Sequence, residues 1–149
     1  MNSRLLRLLL VLVALIAAGC ASPSDRPPSS VKILGSDGDL RLPVEAADSG
    51  EERTLGLMWR GHLDSDAGMF FMFDEEGYHS FWMKNTLIPL DMIFISGNST
   101  IVDIKEDLQP CNVEDCEIYV PSGRAKYVLE VNAGFVKEKN IKTGDKVII

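Results

Sequence analysis

Asp91-Met92-Ile93-Phe94-Ile95 is the stretch that decides the fold. After its first residue it is apolar on both alternating faces, the pattern of a central strand covered on both sides. Ile88-Pro89 breaks the chain before it, and Ser96-Gly97-Asn98-Ser99 is a turn signal after it. Ile101 to Lys105 then returns as an antiparallel neighbour. Upstream, Gly68 to Phe73 is an apolar run closed by Asp74-Glu75-Glu76-Gly77, and Tyr78 to Asn85 is β-like. Downstream, Asp107 to Glu117 reads as polar loop, and Lys126 to Val131 as a strand with Tyr127, Leu129 and Val131 on one face. Asn132 is placed to cap a short helix from Ala133 to Lys139. The turn Lys142 to Asp145 then leads into a last strand, Lys146 to Ile149.

The N-terminal half of the domain opens with two short β-like runs, Val31 to Leu34 and Leu40 to Val44. The turn signal Ser36-Asp37-Gly38-Asp39 between them predicts a hairpin. Ser49 and Glu52 have the spacing of a capping box. Leu55, Met58, Trp59 and Leu63 follow at helical spacing, which predicts the main helix of about 10–12 residues, ended by Gly61. There is no internal repeat. Many short strands with one main helix and one short helix predict a single compact α+β domain over 31–149. Its core is expected to be a strongly twisted, mainly antiparallel sheet or a small β-barrel.

The whole chain has 149 residues, 46% hydrophobic and 25% charged, which suits one globular domain. Its formal net charge of −7 argues against nucleic acid as a partner, because such binding depends on Lys and Arg neutralising phosphates. No glycine-rich phosphate loop follows a strand, and no resident cofactor is expected.

Arg4 and Arg7 precede an unbroken apolar run of 11 residues, Leu8 to Ala18, against about 20 for a spanning helix. A basic start, a short apolar run and small residues at its end read as a secretory signal peptide over 1–19. The sequence Ala17-Ala18-Gly19-Cys20 resembles the bacterial lipobox, which implies cleavage before Cys20 and lipid attachment to its thiol. Residues 20–30, rich in Pro and Ser, read as a tether. The expected location is the bacterial cell envelope, on its periplasmic or extracytoplasmic face. The anchor would make the membrane a partner, with the outer membrane favoured in a Gram-negative host because Ala21 is not the retaining Asp. Removing Arg4 and Arg7 leaves 13 basic against 22 acidic side chains, a net −9, so acyl chains rather than charge would hold the protein at a membrane.

Export also bears on Cys111 and Cys116, which are separated by four residues. In an oxidising compartment two near cysteines usually pair. Free thiols, or a metal held with Glu114, Asp115 or Glu117, remain the alternatives at this point.

Several blocks between Glu52 and Val147 occur in one order: Arg53-x-x-Gly56-Leu57-Met58, Gly68-Met69-Phe70-Phe71-x-Phe73, Phe81-Trp82-Met83-Lys84-Asn85-Thr86-x-x-Pro89-Leu90-Asp91, Val128-Leu129-Glu130-Val131-x-Ala133-Gly134 and Gly144-Asp145. With these blocks the chain resembles the DUF192 family of bacteria and archaea over about two-thirds of its length. The resemblance implies a β-rich single domain, often exported, and implies no activity.

The polar residues inside the apolar strings are the candidate site: Arg53, Lys84, Asn85, Asp91 and Glu130. Charge among core strands is costly unless it is paired or faces a cleft. Glu130 is expected to join Lys84 or Arg53 in a partly buried cluster, with Lys84 and Asp91 at the same sheet end. The structural alternative is that the charges pair and that Asn85 and Asp91 hold turn backbone. The leading functional reading is a module that binds a small molecule or an envelope protein, without catalysis. A Cu(I)- or metal-handling protein using Met58, His62, His79 and Met83 is the first alternative, since thioether and imidazole suit that ion. Against it, Met beside aromatic residues is usually core. A hydrolase using Asp91 and Glu130 as its carboxylate pair is the second alternative.

Overall fold

The computed structural model describes residues 27–149; the expected signal peptide, Cys20 and most of the expected tether lie outside them. Eleven elements follow in the described residues. The hairpin β1 (Ser30–Gly35) and β2 (Gly38–Ala47) comes first, then helix α1 (Gly50–Leu55) and strand β3 (Gly68–Gly77). Next are β4 (Phe81–Trp82), β5 (Leu90–Ile95), β6 (Ile101–Leu108), β7 (Ile118–Tyr119) and β8 (Ala125–Asn132). Helix α2 (Phe135–Glu138) and strand β9 (Lys146–Ile148) complete the domain. The fold is mostly β, with two short helices.

Seven strands form one sheet in the order β6-β5-β8-β3-β2-β1-β9, while β4 and β7 make a separate two-stranded pair. All neighbours are antiparallel except β2 and β3, whose parallel pairing is bridged by the α1 crossover. The sheet curls until its two edges touch at one end. There Ile101 N–H donates to Asp145 O (2.9 Å), Gly144 N–H to Ile101 O (2.8 Å) and Val147 N–H to Ser99 O (2.9 Å). The result is a half-barrel.

The curl gives the sheet two separately covered faces. On the inner face Ile93 and Ile95 of β5, Leu129 and Val131 of β8 and Phe70 of β3 pack with Phe135 and Val136 of α2. On the outer face Met92 and Phe94, Val128, and Met69 and Phe71 pack beneath Leu57, Leu63, Phe81 and Met83 from the connections. All six residues of β5 are buried, as the apolar run from Met92 requires.

Three elements differ from the sequence expectation for local physical reasons. The capping box at Ser49 and Glu52 forms, but α1 has six residues instead of 10–12. Gly56 stops it, adopting φ 45° while its N–H donates to Glu52 O. A Cβ there would also approach Phe71 to 3.2 Å. Leu57 and Met58 then turn inward as a loop, and the apparent helical spacing to Leu63 belongs to no helix. Second, little of Tyr78 to Asn85 is strand: Phe81 and Trp82 pair with Tyr119 and Ile118, and Lys84 makes a single bridge to Cys111. Third, Asn132 caps nothing: its Nδ2 donates to Leu63 O and Asp64 O, and α2 starts after Gly134 at φ 85°.

Candidate functional site

Cys111 and Cys116 form a disulfide with their Cα atoms 6.0 Å apart. The loop it closes is sewn to the segment that carries Lys84. Asn85 N–H donates to Cys111 O (2.8 Å) and Cys111 N–H to Met83 O (3.0 Å). Directly after Cys116 and Glu117 comes β7, which pairs with β4. The disulfide thus backs one wall of a cleft.

That cleft has a volume of about 410 Å³ and lies over the outer face of the sheet. Its walls are Phe71 and Phe73 of β3, Phe81 and Trp82 of β4, Ile118 of β7, and the α1-β3 connection at Leu57 and Met58. The rings interlock edge to face: Phe71 with Phe81 at 5.2 Å and Phe73 with Phe81 at 6.2 Å between centroids. Arg53, Lys84 and Glu130 are its charged lining residues.

Glu130 is the unusual one. It pairs across the sheet with Met69 of β3 and Met92 of β5, so its side chain stands on the outer face between two apolar neighbours. It is 4% exposed, and among the described residues it has neither a hydrogen-bond partner nor a cation within 4.0 Å. No side-chain oxygen in the described residues is both sealed from solvent and unpartnered, so the Glu130 carboxyl group reaches the cleft. Burial pushes its pKa from 4.5 up to about 8. At neutral pH the floor of the cleft is therefore mostly an uncharged acid, able to donate as well as accept.

Arg53 reaches the cleft lining from α1. Its Nη1 donates to the carbonyl oxygens of Asp48 and Met72 (2.7 Å to the latter), and the guanidinium lies 5.3 Å from the Phe73 ring centre. Lys84 places Nζ 5.5 Å from the Trp82 ring centre. Neither cation has a carboxylate partner among the described residues. The expected cluster is thus corrected: Glu130, Lys84 and Arg53 share a cleft but form no ion pair.

Asn85 and Asp91 lie apart from this lining. Asn85 is a turn residue at φ 59°, whose carbonyl accepts from Trp59 N–H (2.8 Å) and whose amide approaches Met58 Sδ (3.9 Å). Asp91 pairs with Val131 across β5-β8, one residue out of step with Met92 and Glu130, so it faces the inner core. Its two carboxyl oxygens accept from Asp107 N–H (2.8 Å) and Val136 N–H (3.0 Å). It is the cap of α2, supplied from another strand. Because Asp91 and Glu130 occupy opposite faces of the sheet, they do not form the pair a two-carboxylate hydrolase needs.

The four candidate metal ligands are not gathered either. Only Met58 lines the cleft. His62 lies 2.9 Å from Asp64 on the surface, His79 stacks on Phe73 at 3.6 Å, and Met83 is in the outer core. Among the described residues no group of three or more His, Cys, Asp or Glu side chains is placed to hold a metal. Sequence reasoning missed the aromatic walls Phe71, Phe73, Phe81 and Trp82 as site residues, because their spacing is equally that of core.

A mostly β half-barrel with a cleft on its outer face defines the class of protein. Residues 32–149 match the family model DUF192, described as "Uncharacterized ACR", and the chain belongs to that family. A UPF0127 protein of Pyrococcus abyssi is 36% identical over 110 residues, covering 70% of this chain and 83% of the relative. Another from Pyrococcus horikoshii is 29% identical over 121 residues, covering 78% and 91%. Two crystal structures are similar. A Novosphingobium aromaticivorans protein of unknown function has a TM-score of 0.76 at 32% identity, covering 87% of this chain and 94% of that one. A Sinorhizobium meliloti protein, provisionally described as a transcription regulator, has a TM-score of 0.74 at 38% identity, covering 80% and 91%.

Proposed function

We propose that this protein is a binding module for a small amphipathic ligand, taken up in the outer-face cleft without chemical change. One observation carries the reading: a buried glutamic acid with no partner among the described residues opens onto a cavity walled by aromatic side chains. Structural acids in cores are normally paired or hydrogen-bonded, as Asp91 is. An acid left open at a cavity floor costs stability, and a ligand that satisfies it recovers that cost. The volume suits a molecule of modest size.

Chemical-shift mapping with a set of small amphipathic fragments tests this. The Trp82 indole, the Met58 methyl and the Ile118 methyls should shift together on titration, while the exposed His62 region stays still. Shifts that spread over the surface, or none at any fragment concentration, would contradict a binding cleft.

The same proposal places the module at the envelope, held by lipid on Cys20. The support is the basic start, the short apolar run and the small residues before Cys20. Metabolic labelling with a fatty-acid analogue in a bacterial host should mark the wild-type chain and leave Cys20→Ala unmarked. An unlabelled wild type would remove the anchor and leave the cleft reading untouched.

A further inference from the structure

We propose that the occupant of the cleft is a small organic anion, a carboxylate on an apolar body, held by the cations Arg53 and Lys84 that line the cleft and by Glu130 acting as a hydrogen-bond donor. This rests on the cleft being a binding site and goes further by fixing the charge of what binds.

The chain carries a net charge of −7, yet the two side chains other than Glu130 that bring charge to this cleft are both cationic. Both lack an anionic partner among the described residues. Arg53 spends Nη1 on two backbone carbonyls and keeps its other N–H groups, while the Lys84 ammonium makes, among the described residues, only its contact with Trp82. Two cations lining one cleft without a carboxylate partner among the described residues suit an oxyanion. Around Glu130 the neighbouring strands contribute Met69 and Met92, which do not titrate, and the charged side chains that the facing elements contribute among the described residues are Arg53 and Lys84. Asp91, the nearest carboxyl group on the paired strand, is on the other face. The acid at the floor is uncharged at neutral pH because burial holds its proton. A protonated carboxyl donates to an oxyanion. An ammonium ligand would instead have to ionise that acid and sit beside two unpaired cations, which is the costlier arrangement. The aromatic walls then take the apolar body.

Calorimetry on the chain from residue 21 onward, with 3-phenylpropionate, octanoate, 3-phenylpropionamide and 2-phenylethylamine as probes, tests the charge. At pH 6.5 the carboxylates should bind at least about tenfold more tightly than the amine, and binding should take up protons as pH approaches 8. A preference between 3-phenylpropionate and octanoate then tells an aromatic from an aliphatic acid as the natural class. Affinity for the carboxylates should fall on the order of thirtyfold between pH 6.5 and 9.5, as Glu130 loses its proton around pH 8. In Glu130→Gln, whose amide still donates, affinity should persist and the pH dependence should flatten. In Lys84→Met it should drop by about five- to tenfold, as for a partly exposed ion pair. Tighter binding of the amine, or carboxylate affinity that rises with pH, would overturn the anion. Equal binding of all four probes, or fragments mapping to the cleft while all four probes fail, would also overturn the anion and leave the cleft reading standing. Failure of both the probes and the fragments would overturn both.

Discussion

Wild-type protein is expected to lose roughly 3–5 kcal/mol of stability as the pH rises from about 5 to about 8, whereas Glu130→Gln holds its stability over that window. The sign follows from where the proton sits. In the unfolded chain Glu130 releases its proton near 4.5, and in the folded chain near 8. Between those values the native state holds one proton more than the unfolded state, so each pH unit upward costs the native state about 1.4 kcal/mol. The contribution is complete below 4.5 and gone above 8. Gln keeps the shape and cannot ionise, so the variant should be the more stable protein at pH 8. The acid limb has a different origin. Glu52, held at about 2 by hydrogen bonds from the Ser49 backbone and side chain and from Asp48, favours folding above 4.5 and ceases to do so as pH falls toward 2. Urea titrations of both proteins at pH 5 and pH 8 measure the difference. A wild type as stable at 8 as at 5 would contradict an unpaired, buried Glu130.

Asp91→Ala is expected to cost about 3–5 kcal/mol and to leave any cleft ligand's affinity unchanged in the protein that still folds. The carboxyl group is fully buried and is the acceptor for two backbone N–H groups, on Asp107 and Val136. Alanine orphans both donors inside the core, and each carries its own desolvation cost. It also removes the cap of α2, whose Phe135 and Val136 are inner-core residues. Thermal melts of Asp91→Ala beside Glu130→Gln give the sharpest contrast between the two buried acids. One is required for folding and the other is a burden on it at pH 8. A mild Asp91→Ala with weakened ligand binding would reverse their roles.

That contrast also marks the limit of what the sequence discloses. Asp91-Met92-Ile93-Phe94-Ile95 identifies itself as the doubly covered strand, because neither of its faces offers a polar residue to water after Asp91. Ser36 to Asp39 and the Ser49–Glu52 box likewise act through near neighbours, and both form as their residues suggest. Period-two alternation correctly sets Glu130 on the face opposite Leu129 and Val131. What that face meets depends on Leu57, Phe81 and Met83, which arrive from distant connections. The relation of Asp91 to Glu130 hangs on a single residue of register between β5 and β8. Shifting it by one would bring both acids to the same face. No local pattern fixes that step, and the same holds for the parallel β2-β3 pairing and for the partnership of β4 with β7. Arg53 and Lys84 could be named as charges beside apolar strings. That neither has a carboxylate partner among the described residues could be seen only once the chain was folded.

The most direct test is the titration of Glu130 itself, followed through its carboxyl carbon by ¹³C NMR in protein labelled at Glu. One glutamate is expected to stay protonated through neutrality and to titrate near pH 8, and this signal should be absent from Glu130→Gln. A Glu130 signal that titrates in the ordinary carboxylate range, near 4.5, would mean a charged and partnered side chain, and the cleft would then have no open acid at its floor.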